Sequence, residues 1–481
     1  MTSALLKNDP DTAALSPLPV TRLIARHAVN ASYGLLPEHV RVQALRSFVN
    51  WMGCALGGCR EPAVSMAVAA ATQLGGMPQA SIVGHVLRTD MATAAFTNCI
   101  SSSVMAFDDA HLATVTHPSG PVIAALLAYS ETRPVSGEDF LCALALGMEI
   151  TCRLSNVLLT PPAKSNLGFY VTGLTAPVGV AAALGRLMRL DEQRMNWAIG
   201  LAASQSSGFR STHGTMTAHF RPGHAARSGV WAAVLAEKGF TGDDCSLEAE
   251  KGFFDVYAVG ADTRHAVEGL GSHFEIMMNA FKPYPCGIVI HPTLDACLDI
   301  SQQLPAGAEF ASVTLRVHPL AISMTGIRHP ANPLESHVSI YHWAAAALVR
   351  GSAGLPEMRE DCIAEIPVAS LREKIVAIAD LQIGRGQAVV EVSLADGRTY
   401  CSRTDVPTGS AQRPMTDAEL DAKFFGQTDW LGAERASDLL AACRKLAETR
   451  DVGKLVFGTR PWLRSSGPDR SDGGECQAAA V

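Results

Sequence analysis

The chain has 481 residues, 48% of them apolar and 18% charged, with a formal net charge of −7. On length alone that is about three domains at roughly 150 residues each; the apolar balance excludes bulk disorder, and the acidic charge excludes a basic nucleic-acid footprint. Twelve scattered cysteines, with no CxxC pair and no zinc-type spacing, read as thiols of a reduced, cytoplasmic interior rather than a disulfide scaffold.

Met1 to Pro19 carries Lys7, Asp9 and Asp11 and no apolar run, so no secretory signal is expected. Residues 1–19 and 465–481 read as disordered tails. Between them, alanine-rich helices fill the first 280 residues: Leu36–Gly57, Pro62–Leu74, Asp90–Phe107, Val122–Tyr129, Phe140–Leu154 behind a Ser136/Asp139 capping pattern, Asp191–Ala203, and Ala225–Lys238 with Pro222 as a first-turn proline. Ser165–Gly185 carries no charge but is broken by Asn166, Thr172, Pro177 and several glycines. It reads as a buried helix with its lead-in, not a membrane span.

The texture changes near Lys282. Val313, Leu315 and Val317 alternate with polar residues, the period of a half-buried strand, and AVVEVSL and TYCSRT flank Ala395-Asp396-Gly397-Arg398 as a hairpin over Ala388–Thr404. His337–Val349 reads as a helix, and helices return at Thr416–Phe425 and Ala433–Thr449. The expected fold is mainly α. A large all-helical domain is built from 20–280 and 409–462, with a smaller α/β domain inserted at 281–408.

There is no GxxxxGKS/T loop, no strand-linked GxGxxG and no GxSxG elbow, so nucleotide and nucleophile-elbow chemistry lack support. Four polar clusters carry what chemistry there is. The first is Phe107-Asp108-Asp109-Ala110-His111 with Thr116-His117-Pro118-Ser119-Gly120. Carboxylates beside histidines shift one another's pKa and suit proton transfer, and the following helix offers free N–H groups to a carboxylate. The bland alternative is helix caps and a turn histidine. The second places His213, His219, Arg221 and His224 within twelve residues at a helix start. That pattern suits an anion; an exposed loop is the alternative, and the spacing matches no standard metal signature. The third is Phe281-Lys282-Pro283-Tyr284-Pro285-Cys286-Gly287, where Lys282 sits on a stiff backbone able to hold a carboxylate and Cys286 reads as a buried structural thiol. The fourth is His337–Trp343, with Tyr341 and His342 heading an apolar helix; there a packed tyrosine is the alternative.

FDDAHLATVTHPSG at 107–120, GTMTAHFRPGHAARSGVWAAVLAEKGFTG at 214–242, FKPYPCGIVIHP at 281–292 and SIYHWAAAAL at 339–348 together resemble the MmgE/PrpD family over about residues 22–460. That family includes 2-methylcitrate dehydratases, cis-aconitate decarboxylases and iminodisuccinate epimerases. The resemblance implies a helical domain from both chain ends, a smaller inserted α/β domain, a site in the cleft between them, and a homodimer. It carries the aspartate-rich segment onto Asp108, Asp109 and His117 with His111 beside them, the KPYPC lysine onto Lys282 and the helix-heading tyrosine onto Tyr341. Three positions depart from the pattern: Tyr170 stands where several members carry histidine, Ala218 where they carry lysine, and Arg221 where a histidine is common.

Reactions of this family build charge beside a carboxylate and need no redox step, so no cofactor and no metal is expected. The function so implied is a cofactor-independent lyase, of dehydratase or decarboxylase type, acting on a small di- or tricarboxylate by general acid/base catalysis. Asp108, Asp109, His117, Tyr170 and Tyr341 form the expected catalytic set. His111, His219, Arg221, His224 and Lys282 form the expected substrate-binding set. The alternatives are an epimerase or isomerase of a dicarboxylate such as iminodisuccinate, and a member that only binds a carboxylate. Neither nucleic acid nor membrane is an expected partner.

Overall fold

The computed structural model describes residues 18–461; apart from Leu18 and Pro19, the tails expected at 1–19 and 465–481 lie outside the described residues. The first half is helix after helix: α1 (Val20–Asn30), α2 (Glu38–Gly58), α3 (Pro62–Leu74) and α4 (Met91–Ser103), a short strand β1 (Asp109–His111), then α5 (Ser119–Ser130), α6 (Gly137–Leu159), α7 (Val171–Leu187), α8 (Glu192–Ala203) and α9 (Thr217–Glu237). Local chemistry sets the helix starts. The side chains of Asp90, Ser136 and Asp191 each accept the N–H three residues on, capping α4, α6 and α8. Helix α6 is long and apolar enough to cross a membrane, but 94% of its apolar window is buried inside the protein.

Several boundaries differ from the sequence reading, two of them for a local reason. Helix α4 stops at Ser103 rather than reaching Phe107, because Ala106 takes a left-handed backbone with φ of 48° that no α-helix accommodates. Pro222 does not open a helix: α9 begins at Thr217 and runs through it. The N–H that Pro222 lacks would have bonded the Ala218 carbonyl. The Arg221 Nε donates to that oxygen instead, at 3.1 Å.

The second half supplies β2 (Asn279–Phe281), α10 (His291–Ser301), β3 (Phe310–Val317), α11 (Ile340–Arg350), α12 (Ile366–Glu373), β4 (Ile375–Ala379), β5 (Ala388–Leu394), β6 (Thr399–Thr404), α13 (Asp417–Thr428) and α14 (Ala433–Arg444). The sheet runs β6-β5-β3-β4. Its β3–β4 pair is parallel, with Val313 opposite Ile375, and the other pairs are antiparallel. Val313, Leu315 and Val317 of β3 and Val390, Val392 and Leu394 of β5 face a core shared with α10 and α11. The period-2 pattern and the 388–404 hairpin therefore sit where the alternation put them; α1, α10 and β4 carried no signal that was read.

The chain is mainly α with this small α/β part. Phe48 and Trp51 of α2 and Phe140 of α6 share one core with Leu420 and Phe424 of α13 and Leu440 of α14, so the C-terminal helices return to pack on the N-terminal ones. The return is close. A Cβ on Gly53 would lie 3.2 Å from the Phe424 ring, and one on Gly57 would lie 3.0 Å from Gln427; larger residues there would push α13 away.

Candidate active site

Three-residue strands assemble the site. Antiparallel pairing of β1 with β2 puts Asp109 opposite Phe281 and His111 opposite Asn279. That ladder sets Asp108 beside Lys282. The Lys282 Nζ donates to Asp108 Oδ1 at 2.5 Å and to the Ala106 carbonyl at 3.2 Å. Asp108 Oδ2 lies 3.0 Å from His117 Nδ1, which also donates to the Asp109 carbonyl at 2.7 Å. Both neighbours of that nitrogen are acceptors, so Nδ1 carries a proton. Burial alone would raise the Asp108 carboxyl, but His117 and Lys282 outweigh it and hold it well below the usual carboxylate range.

A buried cation ties this wall to the far end of the chain. The Lys423 Nζ, on α13, donates to Asn50 Oδ1 at 2.7 Å, to the Phe107 carbonyl at 2.7 Å and to the Lys282 carbonyl at 2.8 Å. Burial lowers its pKa to about 8.

More of the lining comes from α7, α9 and the segment before α11. Tyr170 heads α7, its N–H donating to the Gly208 carbonyl at 3.0 Å. The Arg221 guanidinium lies 4.0 Å from the centre of the Tyr170 ring, and its NH1 donates to the Phe209 carbonyl at 2.7 Å. Burial raises the Tyr170 phenol despite the nearby Arg221. The His219 Nδ1 meets Ser103 Oγ at 3.4 Å. Burial, reinforced by Arg221, lowers His219 to about 4 and His213 to about 3. His337 arrives from the turn just before α11, its carbonyl accepting the Gly287 N–H at 2.8 Å. Its ring stands edge-to-face with His219 at 6.1 Å.

Asp108, His117, Tyr170, His213, His219, Arg221, Lys282 and His337 all line one cleft of about 730 Å³, part of it open to solvent. Ala106 and Val115 line it too, with φ of 48° and 54°. Left-handed backbone at two non-glycine residues is a cost that a fold retains at functional sites.

Four expected site residues are elsewhere. The Asp109 carboxylate accepts the Asn279 Nδ2 at 2.6 Å on the side of β1 away from the cleft, where burial and Asp108 push its pKa up. His111 is buried between Thr114 Oγ1 at 2.8 Å and Glu275 Oε2 at 3.1 Å. His224 stacks on Phe220 at 5.7 Å and meets the Arg227 NH2 at 3.1 Å. Tyr341 packs under the Arg328 guanidinium, 4.8 Å from its ring centre. None of the four lines the cleft. Helix α5's N-terminus, expected to cradle a carboxylate, is buried and also outside the cleft. Cys286 is buried, its thiol pushed up by desolvation.

In return the cleft recruits His213 and His337. They lie in the second and fourth polar clusters of the sequence, respectively. Lys423 had no signal, because a lysine in an amphipathic helix reads as surface.

The arrangement can bind an anion and move a proton: Arg221 is a cation in the cleft lining, His117 brings an imidazole, and Tyr170 is a neutral hydroxyl donor. Among the described residues, no three histidine, cysteine or acidic side chains converge as a metal site.

Comparison with known proteins places these residues in context. The MmgE/PrpD N-terminal domain family matches residues 22–266 and the MmgE/PrpD C-terminal domain family matches 284–446. The chain is 25% identical to the cis-aconitate decarboxylase of Homo sapiens over 392 residues, 77% of this chain and 79% of that protein. It is 26% identical to the cis-aconitate decarboxylase of Mus musculus, covering 76% and 77%. It is 24% identical to the cis-aconitate decarboxylase of Aspergillus terreus over 474 residues, 91% and 96% of the two chains.

Proposed function

The chain belongs to the MmgE/PrpD family of enzymes, and from that membership we propose that it is a lyase releasing CO₂ from a small tricarboxylate of the cis-aconitate type. One observation carries the reading: a cleft in which Asp108 is clamped between His117 and Lys282 while Arg221 stands across the opening. Cleaving a C–CO₂ bond leaves an electron pair on carbon. That pair spreads into an adjacent double bond and carboxylate, so fixed cations and hydrogen-bond donors around the retained carboxylates stabilise the transition state. Arg221 binds a retained carboxylate, Tyr170 donates from its neutral hydroxyl, and the Asp108–His117 pair fixes the imidazole tautomer. The names of the decarboxylase relatives support this chemistry over dehydration.

The test is mass spectrometry of cis-aconitate, 2-methylcitrate, citrate and iminodisuccinate incubated with the protein in D₂O. Loss of CO₂ from cis-aconitate, with one deuterium appearing in the product, is expected. Loss of water instead would make it a dehydratase. Deuterium at a stereocentre with no loss of mass beyond exchange would make it an epimerase. The working unit is proposed to be a homodimer, checked by light scattering at twice the 50.8 kDa chain mass.

A further inference from the structure

Counting charge on the cleft wall exposes a mismatch with its ligand. The permanent charges are Arg221, Lys282 and Asp108, and Lys282 with Asp108 forms a neutral pair at 2.5 Å. The net is a single positive charge facing a ligand that, as a tricarboxylate, brings three negative ones. Besides the Tyr170 phenol, which burial keeps neutral, the remaining titratable wall groups are imidazoles. His117 is engaged through Nδ1 by Asp108 and the Asp109 carbonyl. His337 differs: it is buried, lines the cleft, and its Nε2 has no hydrogen-bond partner.

We propose that a polycarboxylate entering this cleft draws a proton from solvent onto the His219–His337 imidazole pair, and that His337 delivers that proton to the carbon CO₂ has left. The first half rests on the tricarboxylate substrate class of the decarboxylase reading, the second on its decarboxylation. Proton and charge balance: the substrate carboxylate leaves as CO₂, its bonding pair stays on the carbon skeleton, the imidazolium N–H bond breaks to form the new C–H bond, and a neutral imidazole remains. The proton consumed is the one taken up on binding.

The surroundings favour uptake only when the ligand is present. His337 faces His219 from α9, Lys282 after β2, Asp108 before β1, and Arg359 from its own domain. His219 faces Arg221, Asp108, Lys282 and His117, with Ser103 of α4 at its Nδ1. Burial and these cations keep both rings neutral. A trianion reverses the sign of the local field, and a carboxylate near an imidazole favours its charged form. The two rings belong to different domains, so a ligand held between them also bridges the cleft.

The test uses tricarballylate, a tricarboxylate with no double bond to react, in calorimetric titrations run in two buffers of different ionisation enthalpy. Uptake of at least one proton per site is expected near pH 7. The parent's Kd should therefore weaken about tenfold or more per pH unit between pH 6 and 8. His337→Gln should fold, since it breaks no side-chain hydrogen bond at Nε2. It should lose about one proton of uptake, flatten the pH dependence, and lower cis-aconitate turnover at least about 100-fold. His219→Gln provides an independent variant with the same expected loss of uptake. A pH-independent parent Kd overturns the proposal without any variant. So does uptake unchanged in His337→Gln, or turnover by it within threefold of the parent. Uptake lost in His337→Gln alongside a parent inert toward cis-aconitate overturns the decarboxylase reading and leaves proton uptake assigned to this pair. Absence of tricarballylate binding overturns both.

Discussion

Asp108 and Asp109 are neighbours of the same type, and replacing each by asparagine should have very different effects. Asp108 accepts the Lys282 ammonium at 2.5 Å and lies 3.0 Å from His117 Nδ1, and Lys282 is buried. Asp108→Asn keeps the shape but removes the one carboxylate on that ammonium among the described residues. A buried charge left without its partner costs about 3–5 kcal/mol. Asp109 accepts an amide N–H from Asn279 at 2.6 Å, and burial with the Asp108 charge already pushes it toward the neutral form. An amide oxygen serves that N–H equally well, so Asp109→Asn should cost less than about 1 kcal/mol. The contrast, at least about 2 kcal/mol, is roughly thirtyfold in the unfolding equilibrium. Urea unfolding at pH 7 followed by tryptophan fluorescence measures it, with Trp51 and Trp343 buried in two different cores. A pH series adds the sign. The folded-state pKa of Asp108 is depressed, so its contribution is full above the ordinary carboxylate pKa of about 3.9 and is lost as pH falls below it. Asp108→Asn should lack that part of the acid dependence. Equal costs for the two variants, or a cost below about 1 kcal/mol for Asp108→Asn, would refute the assignment of Asp108 as the compensating charge.

Arg221→Ala should weaken tricarballylate binding by about 1.5–3 kcal/mol, the scale of a charged hydrogen bond; an unchanged Kd by calorimetry would remove Arg221 from the binding set. Tyr170→Phe keeps the ring under Arg221 and deletes a hydroxyl that burial keeps protonated, so turnover should fall at least about 100-fold, and turnover within threefold on a confirmed substrate would make Tyr170 a packing residue. His219 is held down to about 4 against about 6.5 when unfolded, so the folded state binds fewer protons between those values and stability rises with pH there. Going from pH 7 to pH 5 should cost about 2 kcal/mol through this group, and His219→Gln should make that part of the urea-midpoint shift disappear. Activity should survive exhaustive dialysis against EDTA; loss restored by a single divalent metal would bring a metal into the mechanism.

Much of the architecture was legible because it is written in local patterns. Asp90, Ser136 and Asp191 announced helix starts, since a cap needs only its own next three residues. The alternation of Val313, Leu315 and Val317 identified a half-buried strand, and Ala395-Asp396-Gly397-Arg398 identified its hairpin neighbour. The four polar clusters were legible as clusters, and Asp108, His117, Tyr170, His219, Arg221 and Lys282 do meet in one cleft. The boundaries at Ala106 and Pro222 failed where a left-handed residue and a rescued carbonyl overrode local propensity.

What the sequence by itself determined, then, is which segments carry chemistry; which side chain of each segment does so was decided by pairing across the fold. On extended backbone, successive side chains point to opposite faces. Once β1 pairs with β2, Asp108 faces Lys282 and the cleft while Asp109 is turned to Asn279 behind it. That pairing joins residues 170 positions apart through strands of three residues, too short to leave any periodic trace. The same holds for His337 and Lys423. Lys423 reaches the site from a helix whose own pattern says only helix and His337 from the turn before α11, and only the packing of α13 on α2 and the approach of that turn to α9 bring an ammonium and an imidazole there.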